Sequence, residues 1–68
     1  MYKIRYIKAS DISGVKHAFE TKDIEAADDS AAIAALKQEA ASPIEGATAM
    51  DVVRGEDYEW EILDSVEL

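Results

Sequence analysis

Tyr2-Lys3-Ile4-Arg5-Tyr6-Ile7-Lys8 alternates apolar and charged side chains. Successive side chains of a strand point to opposite faces, so Tyr2, Ile4 and Tyr6 share one face and Lys3, Arg5 and Ile7 the other. The stretch reads as a half-buried strand. Ser10-Asp11-Ile12-Ser13-Gly14 follows as a turn cluster. Val15-Lys16-His17-Ala18-Phe19-Glu20-Thr21 then resumes a period of two, with Val15, His17 and Phe19 on one face. Two strands joined by about five turn residues predict a hairpin.

Asp28-Asp29-Ser30 signals a helix start, since short oxygen-bearing side chains accept from free backbone N–H groups and acids suit the positive end of the dipole. Six alanines between Ala31 and Ala41 favour helix, with Ile33, Leu36 and Ala40 as a narrow apolar stripe. Pro43 ends it, because the residue before a proline is pushed out of helical conformation. Met50-Asp51-Val52-Val53-Arg54 reads as a short strand, Gly55-Glu56-Asp57 as a tight turn, and Tyr58 to about Leu63 as a last strand with Tyr58, Trp60 and Ile62 on one face. The predicted fold is α+β, a β-β-α-β-β single domain over residues 1–68. Its four-stranded antiparallel sheet carries one helix on one face.

One helix covers one sheet face, so the other is polar or meets something. Lys3, Arg5, Ile7, Lys16, Glu20, Glu59 and Glu61 are the expected members of that open face. Strand one carries three cations and no acid, whereas six carboxylates and no Lys or Arg follow Gly55. If the first and last strands are neighbours, Lys3 and Arg5 face Glu59 and Glu61 and fix the register, each pair contributing roughly 0.2–1 kcal/mol.

Composition narrows the function classes. Sixty-eight residues hold one small core, and twelve of the apolar residues are alanine. That leaves little room for a deep pocket. The net charge of −8 opposes direct contact with nucleic acid and with anionic membranes, and favours a basic partner. No apolar run approaches a membrane span or a signal sequence, so the chain reads as cytoplasmic. Without cysteine there is no disulfide or thiolate metal site, and a lone His17 makes no multi-histidine zinc site. No G-x-S-x-G elbow is present, and His17 reads as a half-buried strand residue. Asp28-Asp29 reads as a helix cap and Glu56-Asp57 as turn chemistry, each in preference to a metal site, and Gly14, Gly46 and Gly55 as turn residues. No catalytic residue, metal ligand or cofactor is assigned. The five aromatics, Tyr2, Tyr6, Phe19, Tyr58 and Trp60, are expected mostly in the core.

The remaining candidate is the row of acids. Same-face carboxylates on a strand repeat every 6.5–7 Å or so, a spacing that can imitate a nucleic-acid backbone. Glu56, Asp57, Glu59, Glu61, Asp64 and Glu67 are therefore the candidate partner-binding residues. Set against the basic first strand, the excess lies at the Glu56-Asp57 turn and the Asp64 to Glu67 end.

The opening strand Tyr2 to Lys8, the run Phe19-Glu20-Thr21-Lys22-Asp23-Ile24-Glu25-Ala26 into Asp28-Asp29-Ser30 and an alanine-rich helix, and the closing hairpin together resemble small phage-encoded anti-CRISPR proteins. The resemblance spans the whole chain as size, layout and charge, with no diagnostic motif. It implies a non-catalytic inhibitor in the host cytoplasm that binds a basic, nucleic-acid-handling protein such as a CRISPR effector complex. A different expectation from the bare sheet face is an accessory or structural module that homodimerises through its sheet.

Overall fold

The computed structural model describes residues 1–10, 12–56 and 58–68. Its elements are β1 (Tyr2–Ala9), β2 (Lys16–Ile24), α1 (Asp29–Ala40), β3 (Ala49–Glu56) and β4 (Glu59–Glu67). All strand pairs are antiparallel in one open sheet of order β2-β1-β3-β4, the α+β arrangement that the alternation predicts. The basic first strand is central, and the acidic last strand is an edge. β3 separates them, so Lys3 and Arg5 do not face Glu59 and Glu61.

The buried core lies between α1 and the sheet: Ile4 and Tyr6 of β1, Met50 and Val52 of β3, and Ala32 and Leu36 of α1. Ala32 and Leu36 are four apart, on one helix face. Their neighbours Ile33, Ala35 and Ala40 are partly buried against the same cluster. Small side chains let the helix lie close to the strands. Asp28 caps it, its Oδ1 accepting from Ala31 N at 2.9 Å.

Carboxylates near both ends of α1 tie it to the sheet. At the start, Asp29 accepts from Tyr2 Oη at 2.9 Å and from Arg54 Nη1 at 2.5 Å. At the end, Glu39 accepts from Lys22 Nζ at 2.7 Å and from Tyr6 Oη at 3.2 Å. The hydrogen bond to Asp29 raises the Tyr2 pKa, burial raises that of Tyr6, and the hydrogen bond from Lys22 lowers that of Glu39. A carboxylate near a helix C-terminus opposes the dipole, and Lys22 offsets that cost.

Two β-bulges decide which face several residues occupy. In β2 the register jumps at Phe19: Glu20 pairs with Tyr6, and Ala18 with Ile7. Phe19 is the extra residue and packs against the helix-side core, with Lys8 Nζ 5.1 Å from its ring centroid. The jump leaves Lys16 on the open face but moves Glu20 to the helix side. His17, opposite Lys8, is exposed and not half-buried. In β4 the jump falls at Leu63, which also packs against the core. Glu61 pairs with Arg54 and Glu59 with Glu56, so both acids lie on the helix side of the sheet. Trp60 and Ile62 occupy the open face instead. A bulge adds one residue to one strand and breaks strict alternation, which a period-two reading cannot anticipate.

β3 runs through Gly55 to Glu56, so Gly55 is a strand residue and not part of the turn. β4 begins at Glu59, later than the alternation suggests, and continues to Glu67. A Cβ built on Gly55 would stand 1.9 Å from the backbone oxygen of Glu59. Glycine permits this close approach within the hairpin.

Gly55→Ala is therefore expected to push the hairpin apart and cost roughly 1–3 kcal/mol or more. A thermal melt reads this as a drop of about 4–8 °C per kcal/mol in a domain of this size.

The Glu39 pairing gives a pH dependence. A carboxylate with a lowered folded pKa stabilises fully above its unfolded pKa, and that stabilisation is lost as pH falls through the folded value. Urea midpoints measured between about pH 6 and pH 3 should fall more steeply for wild type than for Glu39→Gln. Parallel curves would show that Lys22 and Glu39 do not couple to folding.

Candidate functional site: an acidic hairpin beside a neutral sheet face

The acids of the β3–β4 hairpin separate into two groups. Arg54 donates from Nη2 to Glu61 Oε2 at 2.5 Å while its Nη1 holds Asp29. Glu61 is thereby joined to β3 and α1, and these bonds raise the Arg54 pKa, that to Asp29 most. At the far end of β4, Lys16 Nζ lies 3.3 Å from Glu67 Oε1. Asp64 is half-buried, and its Oδ1 accepts from Ser65 N at 2.9 Å.

Glu56 and Glu59 differ. They are direct cross-strand partners, both exposed, and no cation among the described residues pairs with either. Like charges directly opposite in an antiparallel pair are destabilising. Tyr58, between them in sequence, is 99% exposed, contrary to the expectation of a core position. Trp60 is half-buried on the open face. Of the predicted row, the described acids with no cation partner are therefore Glu56 and Glu59 at the hairpin and half-buried Asp64. Asp57, the sixth acid of the predicted row, lies outside the described residues.

The open face is built differently. Arg5 forms a two-pronged ion pair with Asp51: Nε to Oδ1 at 2.7 Å and Nη2 to Oδ2 at 2.5 Å. Direct cross-strand pairing of β1 with β3 sets these two residues side by side. Asp51 is only 2% exposed, and its hydrogen bond raises the Arg5 pKa. Lys3 Nζ stands 4.9 Å from the Trp60 ring centroid and 3.9 Å from Asp23 Oδ1. Three cations, Lys3, Arg5 and Lys16, thus meet three acids, Asp23, Asp51 and Glu67, within one face. Half-buried Ile7 and Ile62, 58% exposed, supply its apolar surface, while Ala49 and Val53 on the same side are buried.

Asp51 is the residue that sequence reasoning missed. A lone acid within Met50-Asp51-Val52-Val53 reads as an ordinary solvent-facing position. The available signal was the match between Arg5 and Asp51, each at the centre of a strand and each on its polar side. Choosing Asp51 as the partner requires knowing that β1 and β3 are adjacent.

The face holds a shallow depression of about 480 Å³ lined by Arg5, Ile7, Ala18, Ala49, Ser65 and Glu67, among others. His17 lies at its rim. Among the described residues no group of three or more His, Asp or Glu side chains is placed to hold a metal ion. Likewise, no described helix is long and apolar enough to cross a membrane. No family model, curated protein or solved structure matches the chain.

Removing one member of a buried ion pair strands the other, whereas replacing both with apolar residues often restores stability. Asp51→Asn is expected to cost roughly 3 kcal/mol, at the low end for buried pairs because Arg5 retains partial access to water. The double variant Arg5→Met/Asp51→Leu should recover most of that loss. Urea midpoints with unchanged m-values would establish both. A double variant no more stable than Asp51→Asn would contradict this.

Proposed function

We propose that this chain is a non-catalytic binding protein that presents the acidic β3–β4 hairpin to a basic surface on another protein. The observation that carries this reading is the uncompensated Glu56/Glu59 pair. Two exposed carboxylates stand directly opposite with no cation among the described residues to relieve them. The isolated fold carries that cost, and a basic partner removes it. Half-buried Asp64 adds negative charge farther along β4, Glu61 and Glu67 are held by Arg54 and Lys16, and Tyr58 offers an exposed aromatic beside the pair, a residue type enriched at interfaces. The net charge of −8 speeds approach to a basic partner and opposes approach to nucleic acid or an anionic membrane.

A basic groove that normally holds nucleic acid is the partner chemistry that such an edge fits best. With the small size and the layout, this supports an inhibitor of the anti-CRISPR kind, encoded by a phage and blocking a CRISPR effector complex. Binding is stoichiometric and requires no cofactor.

The test titrates the purified chain against a DNA-targeting CRISPR effector complex and measures target-DNA binding. Inhibition is expected at low salt and should fade as ionic strength rises, because exposed charge attraction is screened within about 8–10 Å. Glu56→Gln/Glu59→Gln should weaken inhibition about tenfold while raising the melting temperature, since the same change removes repulsion from the free fold. Inhibition indifferent to both salt and this double variant would refute the acidic-edge reading. Intact target binding at saturating protein would refute the inhibitor reading.

A further inference from the structure

Among the described residues no layer covers the sheet face opposite α1, and its charges pair within the face. Its accessible apolar residues, half-buried Ile7 and exposed Ile62, lie above buried Ala49 and Val53 and among three ion pairs that cancel within the face. On a chain of net charge −8 this is a locally neutral region. We propose that two copies of this chain pack through this face, sheet on sheet, about a two-fold axis running along the strands between β1 and β3.

The sheet order and the positions of the charges both favour this axis. In the order β2-β1-β3-β4 it exchanges β1 with β3 and β2 with β4. Every directly opposed pair across the β1–β3 seam is then stacked on its own exchange partner. Arg5 of one copy lies over the β3 position of the other's Arg5–Asp51 pair, and Ile7 over that of Ala49, a small buried residue lining the shallow depression in the face. Lys16 and Glu67 occupy the same end of the two edge strands and already bridge the face within one chain. Exchange of β2 and β4 places each Lys16 near the second copy's Glu67, twice per dimer. An interface of this kind is self-complementary, as a two-fold contact must be.

Area and energetics agree. The molecule measures 38 by 28 by 15 Å along its principal axes, with one broad face bare. A face of this size offers on the order of 800 Å² per partner, the amount that a specific interface buries. Two sheets packed about 10 Å apart, with strands inclined by roughly 30°, form the ordinary sandwich. A 68-residue domain without disulfides gains stability most directly by association. The hairpin tips remain free and, because the axis runs along the strands, both lie at the same end of the dimer.

Lys16 and Glu67 are both exposed in the single chain, so charge reversal there leaves the fold intact, which circular dichroism checks. Sedimentation equilibrium should show a wild-type dimer that dissociates on dilution. Lys16→Glu alone and Glu67→Lys alone should each weaken self-association about tenfold, because like charges then meet at both symmetry-related sites. Mixing the two variants should restore a dimer made of one copy of each. The glutamate introduced in one copy then meets the lysine introduced in the other, and the native Lys16 meets the native Glu67. A wild-type chain that stays monomeric into the millimolar range overturns the proposal. A dimer that neither single variant weakens, and whose variants show no preference for mixed pairing, overturns it in favour of strand-edge association.

Discussion

A four-stranded sheet has two faces, and this chain has one helix to cover them. Sixty-eight residues supply no second layer, so the two faces must be stabilised by different means. On the helix side the means is apolar burial around Ile4, Leu36, Met50 and Val52. On the bare side it is charge. Asp51 sits at the centre of that face, almost fully excluded from water and held by two hydrogen bonds from Arg5. Such a pair contributes less through its net energy than through its geometry: a guanidinium and a carboxylate must lie side by side, so β1 and β3 are held in a single register.

The same economy appears at the helix. With only Ala32 and Leu36 fully buried, α1 has a small apolar footprint. Asp29 and Glu39 supplement it with bonds to Tyr2, Arg54, Tyr6 and Lys22. Much of the chain's positive charge is therefore committed inside the fold: Arg5, Lys22 and Arg54 each hold a carboxylate, and Lys3 and Lys16 lie beside others. Among the described residues, the acids that no cation holds include Glu56 and Glu59 at the β3–β4 hairpin and also exposed Glu20, Glu25 and Glu45. The excess negative charge thus lies outside the broad sheet face, which stays neutral.

A division of surfaces follows from this. The acidic tip is suited to a partner of opposite charge, reached at long range and sensitive to salt. The neutral face is suited to a partner of like kind, reached at short range through packing and exchanged ion pairs.

Local stereochemistry made much of this legible in the residues alone. The alternation of Tyr2 to Lys8, the Asp28 cap, the alanine-rich run and the stop at Pro43 depend on near neighbours in the chain, so element types and order follow from them. The acidic character of the last strand is likewise visible at once. Its charge partners are not. Lys3 and Arg5 look like natural mates for Glu59 and Glu61, but β3 lies between them: Lys3 meets Asp23, Arg5 meets Asp51, and Glu61 meets Arg54. Bulges at Phe19 and Leu63 then break the alternation within β2 and β4, with Glu20, Glu59 and Glu61 on the helix side and Trp60 and Ile62 on the open face. By itself the sequence determined periodicity, caps and composition, because those are properties of neighbouring residues. Strand order, register and the sidedness of each charge were decided only in the tertiary structure, because they depend on backbone hydrogen bonds between segments distant in the chain.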